Sequence, residues 1–400
     1  MQTTLDIAIV NGARTPMGRY CGKLRDFTAQ ELGAIAAVEA MKRSGVEPGE
    51  IDHCVMGNAQ QTSGDAIYGA RHVALQAGVP IEVPALTVNR LCGSGMQSVV
   101  TAAQMIRLGE AKTVLAGGME SMSQAPHVIR GMRWGVGLGE GKLEDSLMVA
   151  LLDSYCNLYM ANTAELYAQQ QGVTREMQDE FALRSQQCAD AAYKAGRLQE
   201  ELTPVPLRNR RREPTGEMFT EDDHRRPDAT IESMRKLKPA FGKDGTVTAG
   251  NASGIVDGGA AVVVMSLADA EKRNLKPLGR IVSWGIAGVD PKIMGSGPVP
   301  STRIALKKAG MTLDDLDLIE VNEAFAAQYL AVEKELGLDR SKVNVNGGAI
   351  ALGHPLGATG TRLLITLLYE LRRRKAKYGL STACIGGGQG IAMIVENLQR

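Results

Sequence analysis

The segments MKRSG at residues 41–45 and LKKAG at residues 306–310 lie far apart in the chain but have the same pattern. Each closes an apolar-periodic run with a glycine, which is typical of the C-terminal end of an α-helix. At the same offset beyond each glycine comes an apolar–aspartate pair, Ile51-Asp52 and Leu316-Asp317, and then a short apolar run. Those runs predict strands at Cys54–Met56 and Leu318–Val321, so the sequence indicates an internal duplication.

The parallel between the two halves continues further along the chain. Leu86–Asn89 and Val343–Asn346 have the pattern of short strands, and a glycine-rich turn and a long helical pattern follow each. Further strands are predicted at Thr113–Ala116 and Leu380–Ile385. Alternating strands and helices predict two layered α/β halves. Two unrelated α/β stretches of similar composition remain the alternative explanation.

A region of different character separates the halves. Residues 122–250 are polar and irregular, with a helical stretch at Thr174–Ala195 and a basic run from Arg208 through Arg210 to Arg212. We interpret this region as an insertion from the first half, which resumes at Asn251–Met265; the strand at Ala260–Met265 would complete its sheet. The predicted domains are therefore residues 1–121 plus 251–273, the insertion 122–250, and residues 274–400.

Bulk properties exclude several classes of protein. The chain of 400 residues is 44% hydrophobic and 22% charged with a formal net charge of +1, which gives no electrostatic basis for binding nucleic acid. No apolar stretch approaches the length of a membrane span, and Met1–Val10 lacks the features of a signal peptide. The cysteines form no CxxC pair, which argues against zinc and thioredoxin-like chemistry. Unpaired thiols suggest a reducing compartment, so we expect the cytoplasm, with the mitochondrial matrix as the alternative.

The segment VNRLCGSG at residues 88–95 places Cys92 at a predicted strand-to-helix turn. Unpaired N–H groups and the positive end of the helix dipole favour a thiolate there and predict a lowered thiol pKa. The same amides could hold an oxyanion beside the sulfur. A buried structural cysteine at a tight turn is the alternative.

A histidine occupies the corresponding turn of the second half. The segment GGAIALGHPLG at residues 347–357 places His354 among glycines, and histidine is the natural base for activating a thiol near neutral pH. A lone histidine is more often structural, but pairing with Cys92 across the two halves favours a catalytic role.

Two further segments carry candidate groups. CIGGGQG at residues 384–390 lacks the lysine of a phosphate loop, and its Cys384 at a glycine-lined strand end suggests a proton-transfer group. VNEAFA at residues 321–326 places Asn322 and Glu323 at a strand end. On its own this motif is typical of an ordinary strand-to-helix cap.

Taken together these segments resemble the thiolase family over essentially the whole chain, in particular the branch of mitochondrial-type 3-ketoacyl-CoA thiolases and acetyl-CoA acetyltransferases. GGMESM at residues 117–122 and TAGNASG at residues 248–254 match family patterns as well. The resemblance implies a duplicated αβαβα fold with an inserted loop domain. It also implies reversible cleavage of 3-ketoacyl-CoA by coenzyme A, or condensation of two acetyl-CoA molecules, as part of fatty acid metabolism.

The resemblance also assigns roles to individual residues. Cys92 would carry the acyl group, His354 would accept its proton, and Cys384 would move the α-proton of acetyl-CoA. Asn322 would hold a water that binds the thioester oxygen together with His354, and Glu323 would orient its neighbours. The amides of Cys92 and Gly386 would bind the oxyanion of the acyl-enzyme step.

Coenzyme A would be a substrate bound mainly by the inserted region, with no permanently bound cofactor and no metal. The positions that match the family's coenzyme A contacts are Leu151, Met160, Arg226, Ala249 and Ser253. The Arg208–Arg212 run could attract the phosphates, although a solvated basic face explains it as well. The chain departs from the acetoacetyl-CoA-synthesising branch at Tyr159, where a histidine is expected, and this leaves the acyl-chain length open.

Two other readings remain. A decarboxylating ketoacyl synthase shares the duplicated fold but would use two histidines beside its cysteine, whereas here the second group is Cys384. A catalytically inactive lipid carrier or scaffold would have lost one of the four groups, and this chain keeps all of them. The family resemblance further implies a homotetramer built from dimers, in which the Gly- and Met-rich segment Gln124–Gly141 could reach another subunit.

Overall fold

The computed structural model of the chain describes residues 5–139, 141–209 and 211–400, so Glu140 and Arg210 of the segments discussed above lie outside the described residues. Its strands, in chain order, are β1 Ile7–Arg14, β2 Gly18–Arg19, β3 His53–Gly57, β4 Ala85–Val88, β5 Thr113–Ser121, β6 His127–Ile129, β7 Leu143–Asp145, β8 Leu152–Asp153, β9 Leu158–Tyr159, β10 Val205–Arg208, β11 Pro214–Phe219, β12 Val256–Ser266, β13 Gly279–Gly288, β14 Leu318–Val321, β15 Tyr378–Ile385 and β16 Gln389–Asn397.

The helices are, in chain order, α1 Ala29–Ser44, α2 Gly69–Gln76, α3 Ser94–Leu108, α4 Ser146–Ala150, α5 Met160–Gln170, α6 Arg175–Lys194, α7 Ile231–Arg235, α8 Leu267–Lys272, α9 Pro298–Ala309, α10 Ala326–Leu336, α11 Ala349–Leu352 and α12 Leu356–Arg374. The helix ends follow the sequence signals. Thr28 and Glu31 form a capping box at the start of α1, and Gly45 and Gly310 close α1 and α9 in the left-handed conformation.

The strands show the duplication directly. Within the described ranges, one mixed sheet has the order β14-β15-β16-β13-β1-β12-β5-β3-β4, with β2 paired to β12. In each half the outermost strands pair in parallel, β14 with β15 at one edge of the sheet and β4 with β3 and β3 with β5 at the other. The inner strands pair antiparallel, and the two halves meet where β1 pairs with β13. The predicted strand at 260–265 lies within β12, between β1 and β5, and completes the first half.

Helices form layers on both sides of these strands. On the outside, α1 packs on β1, β5 and β12, and α9 packs on β13 and β16. In the middle, α3 and α12 pack on each other and on strands of both halves. All residues of β5 and β12 are buried, which explains their nearly continuous runs of small and apolar residues. The α/β class and the duplicated, layered arrangement are confirmed.

The close contact between the halves depends on glycine. A side-chain carbon at Gly118 in β5 would lie 1.8 Å from the carbonyl oxygen of Gly357, in the first turn of α12. Only a glycine allows that turn to approach the strand so closely. The first turn of α12 is thereby held against the strand at the centre of the molecule.

The predicted strand at Val343–Asn346 is wrong. Only Val343 forms a bridge, to Ile319 of β14. Asn344 takes a left-handed conformation at φ 46°, and its side chain bonds both the N–H and the C=O of Val321 at 2.9 Å. The amide side chain thus replaces the ladder that a strand would have formed.

The region 122–250 contains four helices and three small antiparallel strand pairs in its described part. A buried ion cluster ties it to the main sheet: Arg14 of β1 donates to Glu201 at 2.6 Å and to Asp222 at 2.7 and 2.9 Å. Arg208 and Arg212 pair with Glu31 of α1, so the basic run is partly engaged by an acidic partner. The division of the chain into the three predicted domains stays a prediction.

Candidate active site

Cys92 lies on a one-turn 3₁₀ segment, Leu91–Gly93, that links β4 to α3. Leu91 takes a positive φ of 45°, and its N–H donates to the side chain of Asn89 at 2.9 Å. A side-chain carbon at Gly93 would lie 2.6 Å from Ile385, the residue after Cys384. Glycine at position 93 therefore lets the Cys92 turn pack directly against the end of β15.

His354 lies in the tight turn between α11 and α12, and it is buried. Its Nδ1 is 2.6 Å from Oγ1 of Thr359, and its Nε2 is 3.3 Å from Nδ2 of Asn322. Its backbone N–H donates to the carbonyl of Gly254 at 2.9 Å. The ring is thus held at both nitrogens by Thr359 and Asn322 of the second half, and the backbone of His354 is held by Gly254 of the first half.

Cys384 is fully buried near the end of β15, among Met294, Ala324, Met160 and Phe325. Gly386 follows two residues later, and its backbone N–H favours the thiolate of Cys92, because it acts to lower the pKa of that thiol. The glycine turn after β15 therefore presents a thiol and an amide to the same cysteine.

These groups surround one cavity of about 140 Å³. Its wall contains four of the predicted catalytic positions, Cys92, His354, Cys384 and Gly386. The rest of the wall is mainly apolar and comprises Met122, Leu151, Tyr159, Met160, Ala161, Phe241, Ser253, Gly254, Ile255, Met294, Ala324, Phe325 and Leu356. The structure thus brings residues from both halves and from the inserted region to one enclosed space.

The protonation states differ from the expectation of a lowered thiol pKa, which is wrong for the protein without substrate. Burial raises the pKa of Cys92 to about 11, although the N–H groups of Gly386 and Cys92 itself act in the predicted, lowering direction. Burial lowers the pKa of His354 to about 3, and the positive charge of Arg362 adds to this effect. Burial, with the neighbouring Cys92, raises the pKa of Cys384 well above its usual range. The resting pair is therefore a thiol and a neutral imidazole.

Asn322 and Glu323 lie behind the cavity wall and do not line it. Asn322 is fully buried, and its Oδ1 has no partner among the described residues. Glu323 accepts from Ser185 at 2.6 Å, from Asn344 at 2.8 Å and from the N–H of Ile350 at 3.1 Å. Glu323 thereby anchors the segment that precedes His354, and Asn322 contacts His354 itself.

The predicted coenzyme A contacts fall into two places. Leu151, Met160 and Ser253 line the inner cavity, whereas Arg226 and Ala249 line a second pocket of about 320 Å³ beside the returning segment. Ser253 and Ala249 stand at the two ends of that segment, TAGNASG, which connects the pockets. Burial lowers the pKa of His224, another wall residue of the outer pocket, to about 4.

The sequence reasoning missed two buried partners of this site. Glu120 accepts four hydrogen bonds between 2.8 and 3.0 Å, from the side chain of Asn58 and the N–H groups of Ala59, Gln60 and Gly357. Glu120 lies in the GGMESM segment, which matches the family pattern but for which the sequence predicted no functional residue. Thr359 was missed although it lies five residues after His354, where one helical turn brings its hydroxyl back to the ring.

The aromatic rings of Tyr159 and Phe241 also line the inner cavity, with centroids 5.4 Å apart. Among the residues that the structure describes, no cluster of His, Cys, Asp or Glu is arranged to hold a metal ion, and no helix is long and apolar enough to span a membrane. All six cysteines are free thiols.

Comparison with known proteins agrees with this geometry. The family described as "Thiolase, N-terminal domain" matches residues 7–268, and "Thiolase, C-terminal domain" matches residues 275–397. The chain is 53% identical over 392 residues to the human mitochondrial 3-ketoacyl-CoA thiolase, covering 98% of each chain. It is 52% identical over 392 residues to an acetyl-CoA acetyltransferase of Cupriavidus necator, covering 98% of this chain and 99% of the relative. The solved structure of the human mitochondrial 3-ketoacyl-CoA thiolase in complex with CoA superposes with a TM-score of 0.95 at 52% identity, over 98% of each chain.

Proposed function

Because the chain belongs to the thiolase family and is a coenzyme-A-dependent acyltransferase, we propose that its reaction forms a covalent acyl-Cys92 intermediate. The observation that carries the proposal is the single cavity in which Cys92, His354 and Cys384 meet. Two thiols and one neutral imidazole suit a reaction that needs a nucleophile, a base for it and a second proton-transfer group.

In the acylation step, the sulfur of Cys92 attacks the acyl carbonyl carbon of the substrate while its proton passes to Nε2 of His354. The carbonyl oxygen becomes an oxyanion, and the N–H groups of Cys92 and Gly386, which both act to lower the pKa of the Cys92 thiol, would bind it. Collapse of this intermediate forms the thioester on Cys92 and breaks a bond in the substrate. In thiolysis that bond joins the α-carbon to the carbonyl carbon; in condensation it joins the carbonyl carbon to the sulfur of coenzyme A.

The carbon–carbon step needs a second group. In thiolysis the departing acetyl-CoA enolate takes a proton, and in condensation the methyl group of acetyl-CoA loses one. Cys384 lines the cavity near the end of β15 and is the candidate for both proton transfers. His354, which carries on Nε2 the proton received from Cys92, would bind the enolate oxygen together with a water held by the unpaired Oδ1 of Asn322.

Coenzyme A would extend from the inner cavity to the outer pocket. Leu151, Met160 and Ser253 would contact its pantetheine arm, and Ala249 and Arg226 its nucleotide end. A guanidinium can stack on adenine or bond a phosphate, which supports the placement of Arg226. Coenzyme A enters as a substrate, and the reaction needs no resident cofactor.

The named relatives include a 3-ketoacyl-CoA thiolase and an acetyl-CoA acetyltransferase, and we propose both directions of the reaction for this chain. Fatty acid breakdown by β-oxidation is the physiological setting that we propose. We place the protein in the cytoplasm, with the mitochondrial matrix as the alternative suggested by the human relative's name.

We propose that the chain assembles as a homotetramer, a dimer of dimers. No strand of the described residues pairs with the outer side of the edge strand β4, and Leu86, Ile81 and Ile67 beside it are exposed. Such an edge pairs readily with a second chain. Trp134 and Leu138, also exposed, lie in the segment that we expect to reach another subunit. A monomer mass in sedimentation equilibrium at micromolar concentration would reject this assembly.

The covalent intermediate is the direct test of the proposed function. Brief incubation with acetyl-CoA and acid quenching should add one acetyl group, located on Cys92 by peptide mass spectrometry. Cys92→Ser should lose it, whereas Cys21→Ser, at an exposed cysteine outside the cavity, should keep it. Acetylation of a different cysteine in the wild-type protein would sink the assignment.

A further inference from the structure

The hydrogen-bond partners of His354 decide which ring nitrogen carries the proton. The proposed function requires Nε2 to be unprotonated, so that it can accept the proton of Cys92. Thr359 Oγ1 lies 2.6 Å from Nδ1 and also 3.0 Å from the carbonyl oxygen of Pro355. Both groups are buried, so water does not replace either bond. Two self-consistent arrangements of hydrogen atoms fit these distances.

In the first arrangement Thr359 donates to the Pro355 carbonyl, as helical threonines commonly do toward the residue four positions back. Its oxygen then accepts from Nδ1–H, and Nε2 accepts from the amide of Asn322. In the second, Thr359 donates to Nδ1, Nε2 carries the proton, and the Asn322 amide is flipped so that its oxygen accepts. The two differ in what Asn322 leaves unpaired.

The first arrangement leaves the carbonyl oxygen and one N–H of the Asn322 amide without a partner, whereas the second leaves both of its N–H groups unpaired and fully buried. Buried N–H groups without partners are rarer than under-satisfied carbonyl oxygens. A carbonyl oxygen can also accept from a bound water, as the proposed function requires of Asn322. The balance of hydrogen bonds therefore favours the first arrangement.

We propose that Thr359 is a positioning residue that keeps the proton of His354 on Nδ1, so that Nε2 stays unprotonated and can exchange its 3.3 Å contact with Asn322 for the proton of Cys92. This inference rests on the proposed role of His354. When Cys92 gives its proton to Nε2, the imidazolium keeps Nδ1–H on Thr359, so no rearrangement of the ring accompanies the transfer. Thr359 itself does not line the cavity.

Thr359→Val tests the proposal, because valine has the shape of threonine but neither donates nor accepts. A buried Nδ1–H would then lack a partner, and the ring should move its proton to Nε2, where the flipped Asn322 can accept it. The chain has five histidines, so solid-state ¹⁵N spectra of histidine-labelled protein can resolve the ring, with His354→Gln to assign it. The wild-type protein should show Nδ1 protonated and Nε2 free, and Thr359→Val should reverse this.

The rate of acetyl-Cys92 formation should fall by about 10²-fold in Thr359→Val, in line with the loss of a general base, with little change in the KM for acetyl-CoA. Thr359→Ser, which keeps the hydroxyl, should restore both the wild-type tautomer and most of the rate. Thr366→Val is the matched control: it removes one buried hydrogen bond from the same helix, to Glu201, and should change neither.

A wild-type spectrum with the proton on Nε2 would overturn the proposal, and this measurement does not depend on any variant folding. An unchanged tautomer in Thr359→Val would overturn it too, as would a reversed tautomer with an undiminished acylation rate. Failure of the proposed function is separate: in that case His354→Gln would form acetyl-Cys92 at the wild-type rate, whatever tautomer the wild-type ring shows.

Discussion

Gly118→Ala should displace the turn that carries His354. The added methyl group would lie 1.8 Å from the carbonyl oxygen of Gly357, and ordinary contact between such atoms needs roughly 3.5 Å, so β5 and the start of α12 must separate by about 1.7 Å. Gly357 is only three residues beyond His354. A displacement of about 1 Å at a reacting group can cost about 10²-fold in rate, and overpacking in a core costs about 1–3 kcal/mol of stability.

The assay is the rate of acetyl-Cys92 formation by quenched-flow mass spectrometry, with thermal unfolding measured on the same samples. Gly49→Ala is the matched control, because no atom lies within 4 Å of the added methyl group, and it should leave both quantities unchanged. A Gly118→Ala protein with the wild-type acylation rate and melting temperature would refute the claim that close contact between the halves positions His354.

Two other predictions concern protonation and the support of α12. Because burial raises the pKa of Cys92 to about 11 and lowers that of His354 to about 3, the thiol–imidazole pair persists at every pH between these values. Acylation rates should therefore be flat across roughly pH 6–9, and an inflection near the ordinary histidine pKa of about 6.5 would contradict this. Glu120→Gln turns an NH₂ group toward one pair of N–H donors, either Asn58 and Gln60 or Ala59 and Gly357. It should lower the free energy of unfolding by about 1–3 kcal/mol for each donor left unpaired. An unchanged denaturant midpoint would contradict the view that the hydrogen bonds of Glu120 stabilise the fold.

The parts of the fold that sequence predicts well are those in which local and long-range preferences agree. The strands Leu318–Val321, apolar except for Glu320, and Ala260–Met265 consist mainly of residues that the buried sheet also requires, so the local sequence alone locates them. Val343–Asn346 alternates apolar and polar residues, as many strands do. Asn344, however, adopts a left-handed conformation, and its side chain bonds the backbone of β14. Periodicity does not distinguish these two outcomes.

The site shows the same division. The pairing of Cys92 with His354 was predicted from their equivalent turns in the two halves, whereas the position of Cys384 beside them came from the resemblance, since no spacing along the chain indicates it. The expected fall in the pKa of Cys92 failed because desolvation depends on what covers the turn, and the cover comes from distant segments such as that of Leu356. Glu120 was missed for a similar reason, since its partners lie about 60 and 237 positions away in sequence.

The most direct test of the account is the behaviour of Cys384→Ala in the two half-reactions. The variant should form acetyl-Cys92 at close to the wild-type rate but lose condensation, thiolysis and the exchange of deuterium from solvent into the methyl group of acetyl-CoA. Cys54→Ala, at a cysteine buried in β3 away from the cavity, should keep all four activities. If Cys384→Ala retained methyl exchange and condensation near the wild-type rate, Cys384 would not be the proton-transfer group. The assignment of nucleophilic attack to Cys92 and proton transfer to Cys384 would then be wrong.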